Sequence, residues 1–510
     1  MREISSKIKT IEELAKILNN FKEKGKKIVH CHGVFDLLHP GHIRYFEAAK
    51  KKGDILVVTI TKDEYVNKGP DRPYFNEQLR LESVAAIECV DYVALNNWPS
   101  AVETIKLFKP HFYVKGKDYL IKEDDLTGKI FEEEEAVRSV GGELFITDEI
   151  TFSSSSLINT YFSKYPEETK IFLESFKKKY TSKDIINALS KIKDVKILLI
   201  GDIIIDEYHY CVGMGKSQKD NIIATKFLNE EVFLGGVLAA GNHLANFCDN
   251  ITLLSLMGKK NNYKNFIFKH LNPNIKKNFY YSENIPTIIK RRFVDPAFLT
   301  KLFEVCYLDD TYRLESKIEK EICKYLSNFI KKFDMVIVAD FGHGLITDNI
   351  VDIISKNANF LAINVQTNSA NLGFNLITKF KRADYICIDE PELRLACHDK
   401  FSKLEDLILN ISKKLRCKNI IITRGHRGSI CYSKKDGFVE IPVFSTKVLD
   451  RIGAGDAFFS ITSPCIFKNN PIELVGFIGN AAGALKVLIV GNRSSVEKLS
   501  LFRYITTLLR

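Results

Sequence analysis

The chain has 510 residues, 45% apolar and 27% charged, with a net charge of +11. At roughly 100–200 residues per domain this predicts two to four domains with sizeable cores and argues against a disordered chain. No run approaches 18 apolar residues and the charged start lacks a signal-peptide core, so neither a membrane span nor secretion is expected; the dispersed positive charge suits phosphates better than nucleic acid.

From the N-terminus, short apolar runs at 27–30, 55–60, 92–95 and 112–115 read as buried strands, with helical patterns at 41–51 and 76–88 between them. That alternation predicts a parallel sheet covered by helices on both faces. The turn out of the first strand carries His39-Pro40-Gly41-His42. Proline and glycine set a tight helix start whose free amides attract anions, and the two imidazoles add donors toward a polyphosphate. His30, Cys31 and His32 alternate as on a strand without a second ligand pair, so they read as structural. The run 132–135 reads as a solvated helix face.

Residues 161–194 carry no strand signal and read as surface helices at 166–178 and 182–192, the second capped by Ser182. Strand-like runs resume at 195–200, 251–255, 335–339, 360–364, 385–388 and 419–423, a second α/β domain. Near the C-terminus stands Asp450-Arg451-Ile452-Gly453-Ala454-Gly455-Asp456 before an apolar helix. Amides of the small residues Gly453, Ala454 and Gly455 can close around a phosphate, and Asp456 at the rim can accept a proton from an attacking hydroxyl. The 11 cysteines show no CxxC spacing and read as buried free thiols, with Cys387 and Cys397 in the core.

The first half resembles the nucleotidyltransferase superfamily with the H-x-G-H motif. The resemblance rests on Gly33-Val34-Phe35-Asp36, the histidine pair, Lys68-Gly69-Pro70-Asp71-Arg72-Pro73, Asn76-Glu77-Gln78-Leu79-Arg80, Val114-Lys115-Gly116-Lys117-Asp118-Tyr119 and the serine run 153–156. It implies a Rossmann-like fold in which His39 and His42 stabilise charge as pyrophosphate leaves. It also implies a nucleotide site lined by Phe35, Asp36, Arg80, Lys115, Asp118, Ser154 and Ser155, with Arg80 gripping phosphate bidentately.

The second half resembles the ribokinase-like (PfkB) sugar kinases through Gly201-Asp202 to Asp206, Leu234-Gly235-Gly236, Ala339-Asp340-Phe341-Gly342-His343-Gly344, Asp389-Glu390-Pro391-Glu392, Thr423-Arg424-Gly425-His426-Arg427-Gly428, the 450–456 turn and Asn480-Ala481-Ala482-Gly483. The resemblance implies Asp456 as base, with Gly453, Ala454 and Gly455 as the anion hole. Asp206, Gly235, Gly236 and Asn242 would hold the sugar. Thr423, Gly425, Gly428 and Asn480 would hold ATP, and Glu392 would act on Mg²⁺ through water. Arg451, Asp389 and the long Gly236–Asn242 spacing depart from the usual pattern, so the sugar pocket is expected to be an unusual one.

The reading is thus an α/β enzyme with a transferase domain at 1–163, a helical linker at 164–194 and a kinase domain at 195–510. It resembles the bifunctional heptose kinase/adenylyltransferases with their halves reversed, acting in the cytoplasm on a sugar or sugar phosphate and an NTP. It expects no nucleic-acid or membrane partner, leaves homo-oligomerisation open, and directs the product toward a surface polysaccharide. One rival is a CTP-using polyol- or sugar-phosphate cytidylyltransferase. In the other, the kinase-like domain is a non-catalytic sugar-binding or assembly module.

Overall fold

Five parallel strands carry the N-terminal unit in the computed structural model, which describes residues 3–70, 72–116, 129–147, 165–260, 263–309, 311–371 and 373–510. They are β1 (Ile28–Gly33), β2 (Ile55–Thr61), β3 (Tyr92–Asn96), β4 (Phe112–Lys115) and β5 (Glu143–Ile146), in the order β3-β2-β1-β4-β5. Around them lie α1 (Ile11–Glu23), α2 (Pro40–Lys50), α3 (Glu77–Ala85), α4 (Val102–Phe108) and α5 (Lys129–Ser139). Side chains alternate across the sheet. Val29 and Cys31 of β1 join Phe46 and Val84 in one core, while Ile28 joins Leu14, Leu18 and Phe108 in another. The strand order reverses between β1 and β4, which opens a crevice at their carboxyl ends.

The acidic run 132–135 is not uniformly solvated. Glu133 and Glu134 are buried, because α5 turns that edge inward, and Glu133 pairs with Lys115 at 2.9 Å.

Contacts divide the chain into Met1–Lys164 with Phe502–Arg510, and Tyr165–Leu501. The segment read as a linker belongs to the second unit through α6 (Glu167–Lys177) and α7 (Ser182–Ser190). Phe176 of α6 stacks on Phe477 at 4.3 Å. The cap of α7 is Thr181, one residue before the expected Ser182. Its hydroxyl accepts from the Asp184 amide while the Asp184 carboxylate accepts from the Thr181 amide, and this box requires an acid three residues after the cap.

The second unit is built on β6 (Lys196–Gly201), β7 (Ile203–Lys216), β8 (Ile223–Gly235), α8 (Gly236–Ala245), β9 (Asn250–Lys260), β10 (Ile275–Pro286), β11 (Ile288–Asp295), β12 (Thr300–Tyr307), β13 (Met335–Asp340), β14 (Leu361–Val365), β15 (Tyr385–Asp389), α9 (Glu390–Cys397), β16 (Asn419–Thr423), β17 (Ser429–Ser433), β18 (Gly437–Ile441), α10 (Ala454–Phe467) and α11 (Ile472–Lys486). Nine strands form the main sheet, β10-β9-β6-β13-β14-β15-β16-β17-β18. A separate four-stranded sheet, β12-β11-β7-β8, stands on the strand that begins at Ile203. The thiols are less uniformly buried than expected: Cys306 on this smaller sheet is exposed, and Cys89, Cys323 and Cys397 are half-buried. Among the described residues, no helix is long and apolar enough to cross a membrane.

Candidate functional sites

In the N-terminal unit, β1 ends at Gly33 and the chain turns through Phe35, whose φ of 49° is left-handed. The Phe35 ring packs on His42 at 5.5 Å and on Phe46 at 5.0 Å, fixing the start of α2. His39 caps that helix, its Nδ1 accepting from the Gly41 amide at 3.1 Å. The neutral ring therefore carries its proton on Nε2. The two imidazoles lie 4.0 Å apart at the anion-attracting helix end. Burial, then the charges of His39 and Lys68, bring the His42 imidazole down to about 3, so it is a neutral donor at physiological pH.

The other predicted residues of this site divide. Asp36 is buried and accepts from the Tyr74 and Phe75 amides at 2.7 and 3.0 Å, with Arg72 at 3.5 Å; it braces the 72–75 segment. Arg80 does not grip phosphate. It is 1% exposed, and its guanidinium donates to the carbonyls of Phe75, Val34 and Thr61 and to Asp63. A helix arginine facing inward must satisfy its donors on backbone, and that leaves it structural. Lys115 ends β4 beside the crevice and is paired with Glu133. Asp118, Ser154 and Ser155 lie outside the described residues. Lys68, from the 68–73 segment, is a further cation of this site: burial, then the charge of Arg510, bring its ammonium down to about 8, and its charge bears on His42.

In the second unit, the glycine turn leads into α10, with Gly453 as its cap at φ 76°. Ala454, Gly455 and Asp456 follow in the first turn, so amides and helix dipole converge where Asp456 stands. Gln366, the residue after β14, donates to Asp456 Oδ1 at 2.8 Å. Burial, with the charge of Asp206 adding, pushes this carboxyl up to about 6. Asp206 on β7 is buried, and its carboxylate lies against Gly235: a Cβ there would sit 2.3 Å from Oδ2. Gly236, at φ 55°, then starts α8.

Asn242 does not grip alongside Asp206. It lies near the far end of α8, where its amide donates to the His270 carbonyl at 3.2 Å and accepts from the Asn272 amide at 2.8 Å. The asparagine beside Asp206 is Asn492, which donates to it at 3.3 Å. Three further residues bear on the site. Arg292 of β11 pairs with Asp206 at 2.5 Å and with Glu304 of β12 at 2.7 Å. Lys301 of β12 pairs with Asp450. The Asp450 carboxylate also accepts from Tyr208 at 2.6 Å and from the Gly491 amide at 2.8 Å. Tyr208, Arg292 and Lys301 come from three strands of the small sheet, β7, β11 and β12, which bring them together from separate stretches of chain.

Thr423 ends β16, and the turn after it needs glycine at Gly425 (φ 58°) and Gly428 (φ 76°). Asn480 of α11 donates to Ser429 Oγ at 2.7 Å, closing that end. Glu392 and Asp389 cap α9 reciprocally, and Glu392 also accepts from the Thr367 amide. Burial and the charge of Asp389 push the Glu392 carboxyl up to about 8, so at neutral pH the pair keeps a proton that a cation could displace. That donor chemistry fits a hard divalent cation carried in by a nucleotide and held through water. Among the described residues, no cluster of three acids, histidines or cysteines forms a direct cage.

The chain matches two known families. Residues 30–160 match the cytidylyltransferase-like family and residues 197–499 the pfkB family of carbohydrate kinases. The bifunctional protein HldE of Trichlorobacter lovleyi is 35% identical over 170 residues, 33% of each chain. That of Aliarcobacter butzleri is 42% identical over 141 residues, 27% of this chain and 29% of its own. The chain thus spans about a third of the length of the curated relatives it matches, and the likeness lies in the N-terminal domain. Of solved structures, a phosphofructokinase-2 variant from Escherichia coli covers 62% of this chain and 100% of its own, at 11% identity and a TM-score of 0.50. That is a likeness of fold.

Proposed function

We propose, since the chain belongs to the pfkB family of carbohydrate kinases through residues 197–499 and carries a cytidylyltransferase-like domain at residues 30–160, that it is a bifunctional enzyme of activated-sugar synthesis. The C-terminal domain phosphorylates a sugar phosphate from ATP. The N-terminal domain transfers a nucleotidyl group from an NTP to a sugar 1-phosphate and releases pyrophosphate. The product is an ADP-heptose-like nucleotide sugar, made in the cytoplasm for a surface polysaccharide.

The observation that carries the kinase reading is the Asp456 carboxylate at the start of α10, beside the glycine turn and in the field of Asp206. With its pKa near 6 it is ionised at neutral pH and can take the proton of a sugar hydroxyl, while the turn's amides receive the transferring phosphoryl group. Mg²⁺, held through water by Glu392 and Asp389, would supply charge neutralisation on the nucleotide. Arg292 beside Asp206 and Lys301 beside Asp450 favour a substrate that already bears a phosphate. In the N-terminal domain, the neutral His39–His42 pair and Lys68 supply donors where charge builds on the departing pyrophosphate.

The test supplies the purified chain with ATP or CTP and a panel of sugar phosphates, sugar 1-phosphates and glycerol phosphate. ADP release, pyrophosphate release and the mass of the nucleotide sugar are followed. ADP release that needs a sugar 7-phosphate, with pyrophosphate release that needs a sugar 1-phosphate and ATP, supports the reading. Pyrophosphate release only with CTP and a polyol phosphate, and no ADP release, overturns it.

A further inference from the structure

Lys486 is the last residue of α11, and its side chain is fully buried. A helix's last turn favours a cation, but the dipole does not account for a lysine buried completely. Its ammonium donates to two backbone carbonyls, Ile452 at 2.8 Å and Gly491 at 2.6 Å. The first belongs to the residue immediately before the glycine turn. A Cβ on Gly453 would lie 3.1 Å from Lys486 Cε and 3.4 Å from Nζ, so the cation sits directly against that turn. Burial brings its ammonium down to about 8; Asp450, Asp456 and Asp206 favour its charge against that cost, and Lys301 opposes it.

Peptide geometry gives this contact a consequence. In a trans peptide the carbonyl and the following N–H point in opposite directions. Holding the Ile452 carbonyl on the lysine's side therefore turns the Gly453 amide to the other side of that peptide plane. The same ammonium ties the turn to Gly491, whose own amide donates to Asp450.

We propose that Lys486 is a positioning residue of the phosphoryl-transfer site: a tethered cation that locks the Ile452–Gly453 peptide so that the Gly453 amide faces the transferring phosphoryl group. The proposal rests on the kinase reading of this unit. Any buried ammonium needs acceptors, but one serving packing alone need not take the carbonyl that leads into the glycine turn, and a methionine would fill its volume at lower desolvation cost.

The experiment measures ADP release by the full chain as purified, by Lys486→Met and by Lys486→Ala, with thermal unfolding as the check of folding. Folded Lys486→Met is expected to lose kcat by about 10²–10³, the worth of one preorganised donor, with the sugar KM within about threefold. Lys486→Ala is expected to regain activity in ammonium chloride, saturably, and not in tetramethylammonium chloride. A purely structural lysine would show neither the split between kcat and KM nor the rescue. A folded Lys486→Met with unchanged kcat, or a folded Lys486→Ala that ammonium leaves inactive, overturns the proposal and leaves the kinase reading standing. If both variants are recovered unfolded, Lys486→Arg carries the test. Folded Lys486→Arg, retaining charge and donors, supports the proposal if the sugar KM holds and kcat stays within about tenfold, and overturns it if kcat is abolished. Absence of any phosphoryl transfer by the unaltered chain overturns both readings.

Discussion

Arg292 donates to the Asp206 carboxylate at 2.5 Å, joining two neighbouring strands, β11 and β7, whose register pairs Lys290 with Asp206. The aspartate proposed to bind sugar hydroxyls, the fourth residue of β7, is thereby also the charge partner of an arginine whose other terminal nitrogen is held by Glu304. Removing one partner of a buried pair leaves the other unpaired, at about 3–5 kcal/mol. Arg292→Ala is accordingly expected to raise the KM for the phosphorylated sugar at least tenfold and to lower the thermal midpoint. Arg292→Lys, which keeps charge but not the fork, should recover part of both. Steady-state kinetics with sugar phosphate against the unphosphorylated sugar checks this, since only the phosphorylated substrate should lose affinity strongly.

On the proposed kinase reading, Asp456 sets the acid side of the reaction. Its carboxyl is raised to about 6, and a base works only when ionised, so kcat/KM should be full above that pH and fall tenfold per unit below it. Asp456→Asn should lower phosphoryl transfer by about 10²–10⁴ and leave pyrophosphate release untouched. Parallel assays of both activities across pH 5–8 provide the measurement.

Much of this was legible in the residues. The main-sheet strands, the histidine pair and the glycine turn all stand on local signals: apolar runs, a proline at a helix start, small residues before an acid. What was not legible depends on partners distant in sequence. Arg80 and Glu133 lie on helix faces whose inward aspect only packing decides, so a phosphate ligand became a brace and a solvated acid became the partner of Lys115. The small sheet was not legible because β7 and β11, which pair in parallel, lie far apart in the chain, and because β12 is exposed along its whole length. Asn492, Arg292 and Lys486 reach the kinase site from segments without a motif.

Gly235 tests how tightly the sugar aspartate is seated. A Cβ at this position would stand 2.3 Å from Asp206 Oδ2 and 3.2 Å from the Ile204 carbonyl, well inside contact distance. Gly235→Ala should therefore displace the Asp206 carboxylate, lower kcat/KM for the sugar by about 10²-fold and leave the transferase intact. A glycine serving only as a helix start would tolerate alanine with little change in either activity.

The His39–His42 pair carries a prediction about stability as well as rate. His39→Ala or His42→Ala should each lower pyrophosphate release by about 10²–10³ without altering ADP release. The pH dependence follows from burial. His42 has an ordinary value of 6.5 and is brought down to about 3 in the fold, so the unfolded chain binds its proton first as pH falls. A depressed folded pKa gives stability that is present above 6.5 and is lost progressively between 6.5 and 3. His42→Gln removes this titration while keeping a polar side chain. Its thermal midpoint should fall less than that of the unaltered chain between pH 7 and pH 4.5. His243 and His343, also depressed, are common to both proteins and cancel in the comparison. Bound NTP should narrow the difference, because phosphate charge beside the imidazole favours its protonated form in the folded state. Identical pH profiles for the two proteins would show that His42 stays ionisable in the fold, and its role as a neutral donor would fail with them.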